Sequence, residues 1–191
     1  MVKLNPILLD FPSEFKTKRL VIRAPRYGDG KVVQESIHAS FPELKPWMPF
    51  AQKIPTVDES EENIRRSIAQ FVLREDLRFL LFESSTNAFI GSSGLHRMNW
   101  DAHSFEVGYW IDTRFSGNGL MTEAVTGIIE FARKHLGAKR IEIKCDPTNH
   151  KSKSIPIKLG FTLEGQLKQN RLTADGKELR DTCIYAKTFI T

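Results

Sequence analysis

The residues best suited to chemistry are Arg114, Phe115, Ser116, Gly117, Asn118, Gly119, Leu120 and Met121, a short run with two glycines one residue apart. Glycine lacks Cβ, so the backbone there can adopt unusual φ values and come close to a phosphate. A helix starting directly after such a loop leaves its first N–H groups unpaired and adds the positive end of its dipole. Together these features make an anion cradle. The glycines are not followed by Gly-Lys-Ser/Thr, which disfavours a nucleotide-binding P-loop.

The elements that must position this loop are legible on both sides of it. Phe105, Val107, Tyr109 and Ile111 alternate with Glu106, Gly108 and Trp110, predicting a strand with two chemically distinct faces, the fourth in the chain. Beyond the loop, Met121, Ala124, Val125, Ile128, Ile129, Ala132 and Leu136 recur along one helical face. Glu123 near the start, Arg133 to His135 near the end and Gly137 after it agree with the dipole and capping rules. Ile141, Ile143 and Cys145 alternate with charged residues, so a strand follows at once. Asp146 to Asn149 turns the chain into a short helix through Ile155 and Leu159 that ends at Gly160.

The flanking regions predict the rest of the sheet. Leu20 to Arg23 reads as a first strand stopped by Pro25, and Asp29 can cap a short helix carrying Val32, Val33 and Ile37. Four prolines between Phe41 and Pro55, with Trp47, Met48 and Phe50 among them, read as a rigid loop that packs on helices or walls a cleft. Thr56 and Glu59 form a capping box for a helix to about Asp76. Arg78 to Glu83 and Ala88 to His96 form a hairpin. Phe161 to Leu167 and Thr182 to Thr188 are the last strands, with a turn at Asp175-Gly176. The expected fold is one α+β domain over residues 1–191. Its mixed, mostly antiparallel twisted sheet has about seven strands, helices on both faces and a central strand-loop-helix-strand crossover.

Composition sets the outer bounds. At 191 residues and 40% hydrophobic content the chain can bury a continuous core. A formal charge of +5, with both signs interspersed, suits anionic ligands but is modest for a nucleic-acid binder, so no direct nucleic-acid partner is expected. No apolar run approaches a membrane span, and Met1 to Asp10 lacks the pattern of a cleavable leader, so the expected compartment is the cytoplasm. The two cysteines, Cys145 and Cys183, lie in strand-like settings without zinc spacing, so neither a metal nor a structural disulfide is expected.

The loop gains meaning from its context. Glu106 to Ile111 precedes it; Asn149-x-x-Ser152 and Lys158-Leu159-Gly160-Phe161-x-Leu163-Glu164-Gly165 follow. Together they resemble the GNAT (GCN5-related N-acetyltransferase) family, and within it the branch of RimJ and RimL, which acetylate the N-termini of ribosomal proteins. Thr17-Lys18-Arg19-Leu20-x-Ile22-Arg23 and Pro46-Trp47-Met48-Pro49 are similar to that branch as well. The resemblance implies acetyl-coenzyme A as co-substrate, its pyrophosphate on the amides of Arg114 to Met121 and its pantetheine arm beside Trp110 and Ile111. It further implies that the arm lies in a splay between two strands, bonded by Asn149, with Ser152 near the sulfur. The acceptor would be a peptide N-terminus, such as that of a ribosomal protein, or a small primary amine. Relatives are often dimers, so a homodimer is an expected assembly.

Acetyl transfer to an amine needs a neutral nucleophile, a polarised carbonyl and an exit for the thiolate. Glu106 is the candidate base, on the strand that enters the loop; the competing readings are that it pairs with a neighbouring strand or simply meets solvent. A strand N–H near Trp110 or Ile111 could polarise the carbonyl. Ser152 could donate to the leaving sulfur, or merely serve the first turn of its helix. Pro156 leaves the Ser152 carbonyl without its usual helical partner, so that oxygen is free for another donor. Cys145 as a covalent acyl carrier competes with direct transfer in a ternary complex, which is the preferred reading. Ribosomal-protein acetylating relatives carry a glutamate where this chain has Arg171, which would favour an acceptor with a negative group. From a different class, a silent acetyl-coenzyme A sensor is the alternative function.

Overall fold

Side chains pointing to opposite faces of the strands build two cores, one on each face of a single sheet. The structure, a computed structural model, describes residues 5–189. Met1 to Leu4 of the leader reading and the last two residues of the domain range therefore lie outside the described residues. The strands are β1 (Glu14–Lys16), β2 (Leu20–Arg23), β3 (Leu77–Glu83), β4 (Phe89–Asn99), β5 (Ser104–Ile111), β6 (Arg140–Cys145), β7 (Thr162–Leu172) and β8 (Leu179–Thr188). Their order in the sheet is β1-β2-β3-β4-β5-β6-β8-β7. Only β5 and β6 run parallel; the other pairs are antiparallel. The sheet has eight strands where about seven were expected, because β1 is too short, at three residues, to show a period. The strand expected as fourth is thus fifth.

Among the described residues, five α-helices complete the fold: α1 (Gly30–Ala39), α2 (Phe41–Leu44), α3 (Val57–Leu73), α4 (Leu120–Leu136) and α5 (His150–Lys158). On one face, α4 buries Ala124, Val125, Ile128 and Ala132 with Phe79, Phe105 and Ile141. On the other, Val33 and Ile37 of α1 and Ile64 of α3 pack with Leu80, Phe82, Phe89 and Trp110. Each Val, Leu, Ile or Phe side chain so removed from water contributes about 1.5–3 kcal/mol before entropy is subtracted. Among the described residues, the crossover β5-α4-β6 is the only connection between parallel neighbours.

Local signals account for several boundaries. Thr56 accepts from the Glu59 N–H at 3.1 Å while Glu59 accepts from the Thr56 N–H at 2.8 Å, the expected capping box. α4 ends at Gly137 with φ +62°. The proline-rich segment is more regular than expected: Phe41–Leu44 is a helical turn and Pro49–Ala51 a 3-10 turn, because Pro42 and Pro49 occupy first-turn positions where no N–H is needed. Asp29 does not cap α1 with its side chain; it forms an ion pair with Arg23 at 2.7 Å instead.

Candidate active site

β5 and β6 pair only at Ser104↔Arg140, Phe105↔Ile141 and Glu106↔Glu142, although β5 continues to Ile111 and β6 to Cys145. Beyond Glu106 the two strands part, leaving a wedge between their C-terminal ends. The loop sits at the open end of that wedge. Gly117 and Gly119 have φ of +86° and +74°, in the left-handed region that favours glycine, and a Cβ built at Gly117 would meet no atom within 4 Å.

The amides of this loop fall into two groups. Arg114 N–H donates to Asp112 Oδ1 at 2.9 Å, Phe115 N–H to the Asp112 carbonyl at 3.0 Å and Ser116 N–H to the Thr113 carbonyl at 3.2 Å. These three close a 3-10 turn and are not free for a phosphate. The N–H groups of Gly117 to Thr122 donate to no acceptor among the described residues. The expected phosphate-binding stretch therefore narrows from Arg114–Met121 to its glycine half and the first turn of α4. The Arg114 side chain is likewise engaged, with Nη2 2.5 Å from the buried Asp112 carboxylate. Burial alone would push that carboxyl up, but hydrogen bonds from Arg114 hold it below the ordinary range.

The loop is anchored to the segment between β1 and β2 through Glu123 in the first turn of α4. Glu123 accepts from Thr17 Oγ1 at 2.6 Å and from the Arg19 amide at 2.8 Å and side chain at 2.6 Å. Arg19 Nη1 also donates to the Asn118 carbonyl at 3.0 Å. Burial raises the Glu123 carboxyl, yet these donors prevail and it lies below its usual value. A role for the Thr17-Lys18-Arg19 segment in holding the loop is thus visible in its contacts.

A cleft of about 670 Å³ joins loop and wedge. Its wall includes Trp110, Ile111, Ser116, Gly117, Gly119, Leu120 and Met121 on one side and Asn149 and Ser152 on the other. Pro46, Trp47 and Met48 close it, so the proline-rich segment is a cleft wall, and Met48 packs on the second core as well. Asn149 Oδ1 accepts from the Ser152 N–H at 3.0 Å and caps α5, leaving the amide nitrogen of Asn149 for another acceptor. The Ser152 carbonyl, deprived of its helical partner by Pro156, accepts from Tyr109 Oη at 2.9 Å. Ser152 Oγ is 3.4 Å from the same phenol oxygen, a loose contact that leaves its proton free to be given elsewhere.

The acetyltransferase (GNAT) domain profile matches residues 19–162 of this chain. The chain belongs to the GNAT acetyltransferase family. It is an acetyl-CoA-dependent N-acetyltransferase that moves the acetyl group to a primary amine. This acetyltransferase is 27% identical over 147 residues to the ribosomal-protein-serine acetyltransferase of Escherichia coli K12, spanning 75% of this chain and 80% of that protein. It is 28% identical over 174 residues to the [ribosomal protein uS5]-alanine N-acetyltransferase of the same organism, spanning 90% and 89%. The microcin C7 self-immunity acetyltransferase MccE, solved in complex with acetyl-CoA and AMP, has the same fold, with a TM-score of 0.86, 23% identity and 94% and 98% of the two chains covered.

Two expected site residues of this acetyltransferase stand apart from the cleft. Glu106 is not in its wall; one oxygen is held by Arg97 and the other lies 3.0 Å from Lys144. The ion-pair reading of Glu106 is visible in these contacts, although its buried Oε2 accepts no hydrogen bond among the described residues. Arg171 lies on a bulged part of β7, opposite Arg180 in register and off the cleft wall, so the geometry offers no support for an acceptor carboxylate there. Cys145 is buried opposite Cys183, both as free thiols, and burial pushes the Cys145 thiol up to about 11. Such a thiol is a weak nucleophile at neutral pH, which favours direct transfer. Sequence reasoning missed Glu43, His150 and Lys151 on the cleft wall and the Tyr109 bond to Ser152. The N–H that Pro156 lacks, four residues after Ser152, was the signal for that bond; the wall residues carry no local signal. Among the described residues, no helix is long and apolar enough to cross a membrane, and no group of three or more His, Cys, Asp or Glu could hold a metal.

Proposed function

We propose that this acetyltransferase modifies the α-amine at a peptide N-terminus, as in a ribosomal protein, by direct attack in a ternary complex. The observation that carries the reading is the wedge: free amides at its mouth and a serine hydroxyl with a loosely held proton along its wall. Acetyl-CoA bound there would supply the acetyl group as a thioester. The amides of Gly117 to Met121 would take the pyrophosphate, the Asn149 amide nitrogen an arm carbonyl, and Trp110 and Ile111 would flank the arm. Ser152 Oγ would donate its proton toward the leaving sulfur. Burial raises the Tyr109 phenol, so Tyr109 keeps its proton and holds the Ser152 carbonyl.

The ion pairs on Glu106 bear on the acceptor. An α-ammonium with a pKa of about 7.8 is about one-third neutral at pH 7.5, whereas a lysine ammonium at about 10.4 is about 0.1% neutral. A site without a strong carboxylate base favours the former. The names of the Escherichia coli relatives, which act on ribosomal-protein serine and alanine, point the same way. We further propose a homodimer acting in the cytoplasm with no direct nucleic-acid contact.

The test is thiol release from acetyl-CoA against N-terminal peptides, polyamines, amino acids and aminoglycosides. Preferred turnover of peptides with a free α-amine, abolished by prior N-terminal blocking, is expected. Equal turnover of polyamines would overturn the acceptor assignment. Binding without turnover of any amine would instead favour the silent sensor. Light scattering reads the assembly.

A further inference from the structure

Coenzyme A carries a phosphate on its ribose 3′-oxygen in addition to the pyrophosphate, and the free amides of Gly117 to Thr122 answer only for the latter. The thioester arm and the adenosine are attached to opposite ends of the pyrophosphate, so with the arm in the wedge the ribose phosphate stays outside it. The arginines at the loop are already engaged. Arg114 is paired with Asp112, and Arg19, which holds the Asn118 carbonyl, is paired with Glu123. Among the described residues, the Asp, Glu, Lys, Arg and His side chains on the cleft wall are Glu43 of α2 and His150, Lys151 and Lys158 of α5. The cations open to a second phosphate therefore come from α5.

α5 turns one face to the cleft. Lys151, Ser154, Ile155 and Lys158 follow one another at i, i+3, i+4 and i+7, the spacing that sets side chains in a row along a helix, and all four line the cleft. Lys153 and Ile157, between them in sequence, do not. Ile155 is buried in the core and seats the row, while the lysines at its two ends are exposed. At 1.5 Å per residue their backbones lie about 10 Å apart along the axis, a gap that two flexible four-carbon stems can close from both sides. Neither ammonium makes an ion pair among the described residues. Nothing within the chain neutralises the row, which leaves it open to an anion from outside.

We propose that Lys151 and Lys158 form a clamp for the ribose 3′-phosphate of acetyl-CoA, so that the enzyme selects the complete cofactor over its 3′-dephospho form. The proposal rests on the coenzyme A reading of the cleft and names the residues that read the nucleotide end. A phosphate monoester is close to a dianion at neutral pH, and lysine meets phosphate as a point charge that needs no fixed fork geometry. An exposed pair of single charges changes an affinity by up to about fivefold. Two lysines facing a dianion should therefore give about 10–30-fold.

Calorimetry with coenzyme A and with 3′-dephospho-coenzyme A tests the clamp without turnover. The wild type should bind coenzyme A about 10–30-fold more tightly than the dephospho form, and raising salt should shrink that ratio. In the double variant Lys151→Gln/Lys158→Gln the ratio should fall to about 1 through loss of coenzyme A affinity alone. Its affinity for the dephospho form should match the wild type, which also reports the variant folded. Lys153→Gln, on the same helix but off the cleft wall, should keep the wild-type ratio. Equal wild-type affinities for the two compounds, a double variant that keeps the wild-type ratio, or a ratio lowered as much by Lys153→Gln overturns the clamp while leaving the coenzyme A site intact. A wild type that binds neither compound overturns the clamp together with the reading of the cleft.

Discussion

Gly117→Glu bears most directly on the phosphate cradle. Gly117 has φ +86° with nothing within 4 Å of a built Cβ, so the cost to folding is confined to backbone strain, about 1–2 kcal/mol. The new carboxylate would share the concavity lined by the free N–H groups of Gly117 to Thr122. At a separation of about 5 Å and an effective dielectric of about 20, two unit charges repel by about 3 kcal/mol, and a screening length of about 8 Å roughly halves this. Two phosphate charges then cost about 3 kcal/mol, which is about 10²-fold in affinity. Calorimetry with coenzyme A should show that loss, shrinking as salt is raised. Gly117→Gln, of equal bulk without the charge, should lose much less, and thermal melts should report both variants folded. Equal coenzyme A affinity for the wild type and Gly117→Glu would mean that the phosphates bind elsewhere and would refute the cradle.

Other perturbations follow from the same contacts. Ser152→Ala should lower kcat by about 10²-fold with cofactor affinity intact, read by thiol release; an unchanged kcat would remove Ser152 from proton transfer. Tyr109→Phe takes away the partner of the Ser152 carbonyl, and an unpaired part-buried acceptor costs about 1–3 kcal/mol, visible as a lower Tm; an unshifted melt would show that the phenol does not hold that turn. Asp112 is depressed in the folded state, so its contribution is complete above the unfolded value of about 3.9 and is lost as pH falls through the lower folded value. Asp112→Asn should therefore flatten the Tm-against-pH curve below about pH 4, and parallel curves for both proteins would refute the assignment. Thr56→Ala should cost about 1 kcal/mol by denaturant melts through the lost capping box, and a neutral result would mean that the α3 terminus is held otherwise.

What was legible in the chain was what repeats or punctuates locally. The β5-loop-α4-β6 unit showed itself through period-two strands, a helical apolar stripe and two glycines, and its observed bounds differ by about one residue from those read off the pattern. Strand β1 and the turn at Phe41–Leu44 are too short for a period, and prolines at first-turn positions look like breakers until the helix start is known. The state of Glu106 was illegible because Arg97 and Lys144 reach it from strands whose registers no local pattern fixes. The His96–Asp76 contact was hidden for the same reason: Asp76 lies 20 residues away in sequence and meets His96 only through the β3–β4 pairing.

The parallel pair explains why chemistry settled at this place in the sheet. Antiparallel neighbours joined by a hairpin are tied together at one end, so they cannot part there without breaking the turn. β5 and β6 are joined instead by a crossover helix, and their C-terminal ends lie side by side with no turn between them. Each hands over to a helix, α4 after Gly119 and α5 after Asn149, and both N-terminal first turns line the same cleft. That is the open-sheet rule, in which ligands lie beyond the carboxyl ends of parallel strands. It also divides labour across β5. Tyr109 turns to the α5 side and donates to the Ser152 carbonyl, whereas Gly108 leaves the opposite face without a side chain from β5. Gly108→Ala would set a methyl group 2.9 Å from His96 Cδ2, and a lowered Tm would report that crowding.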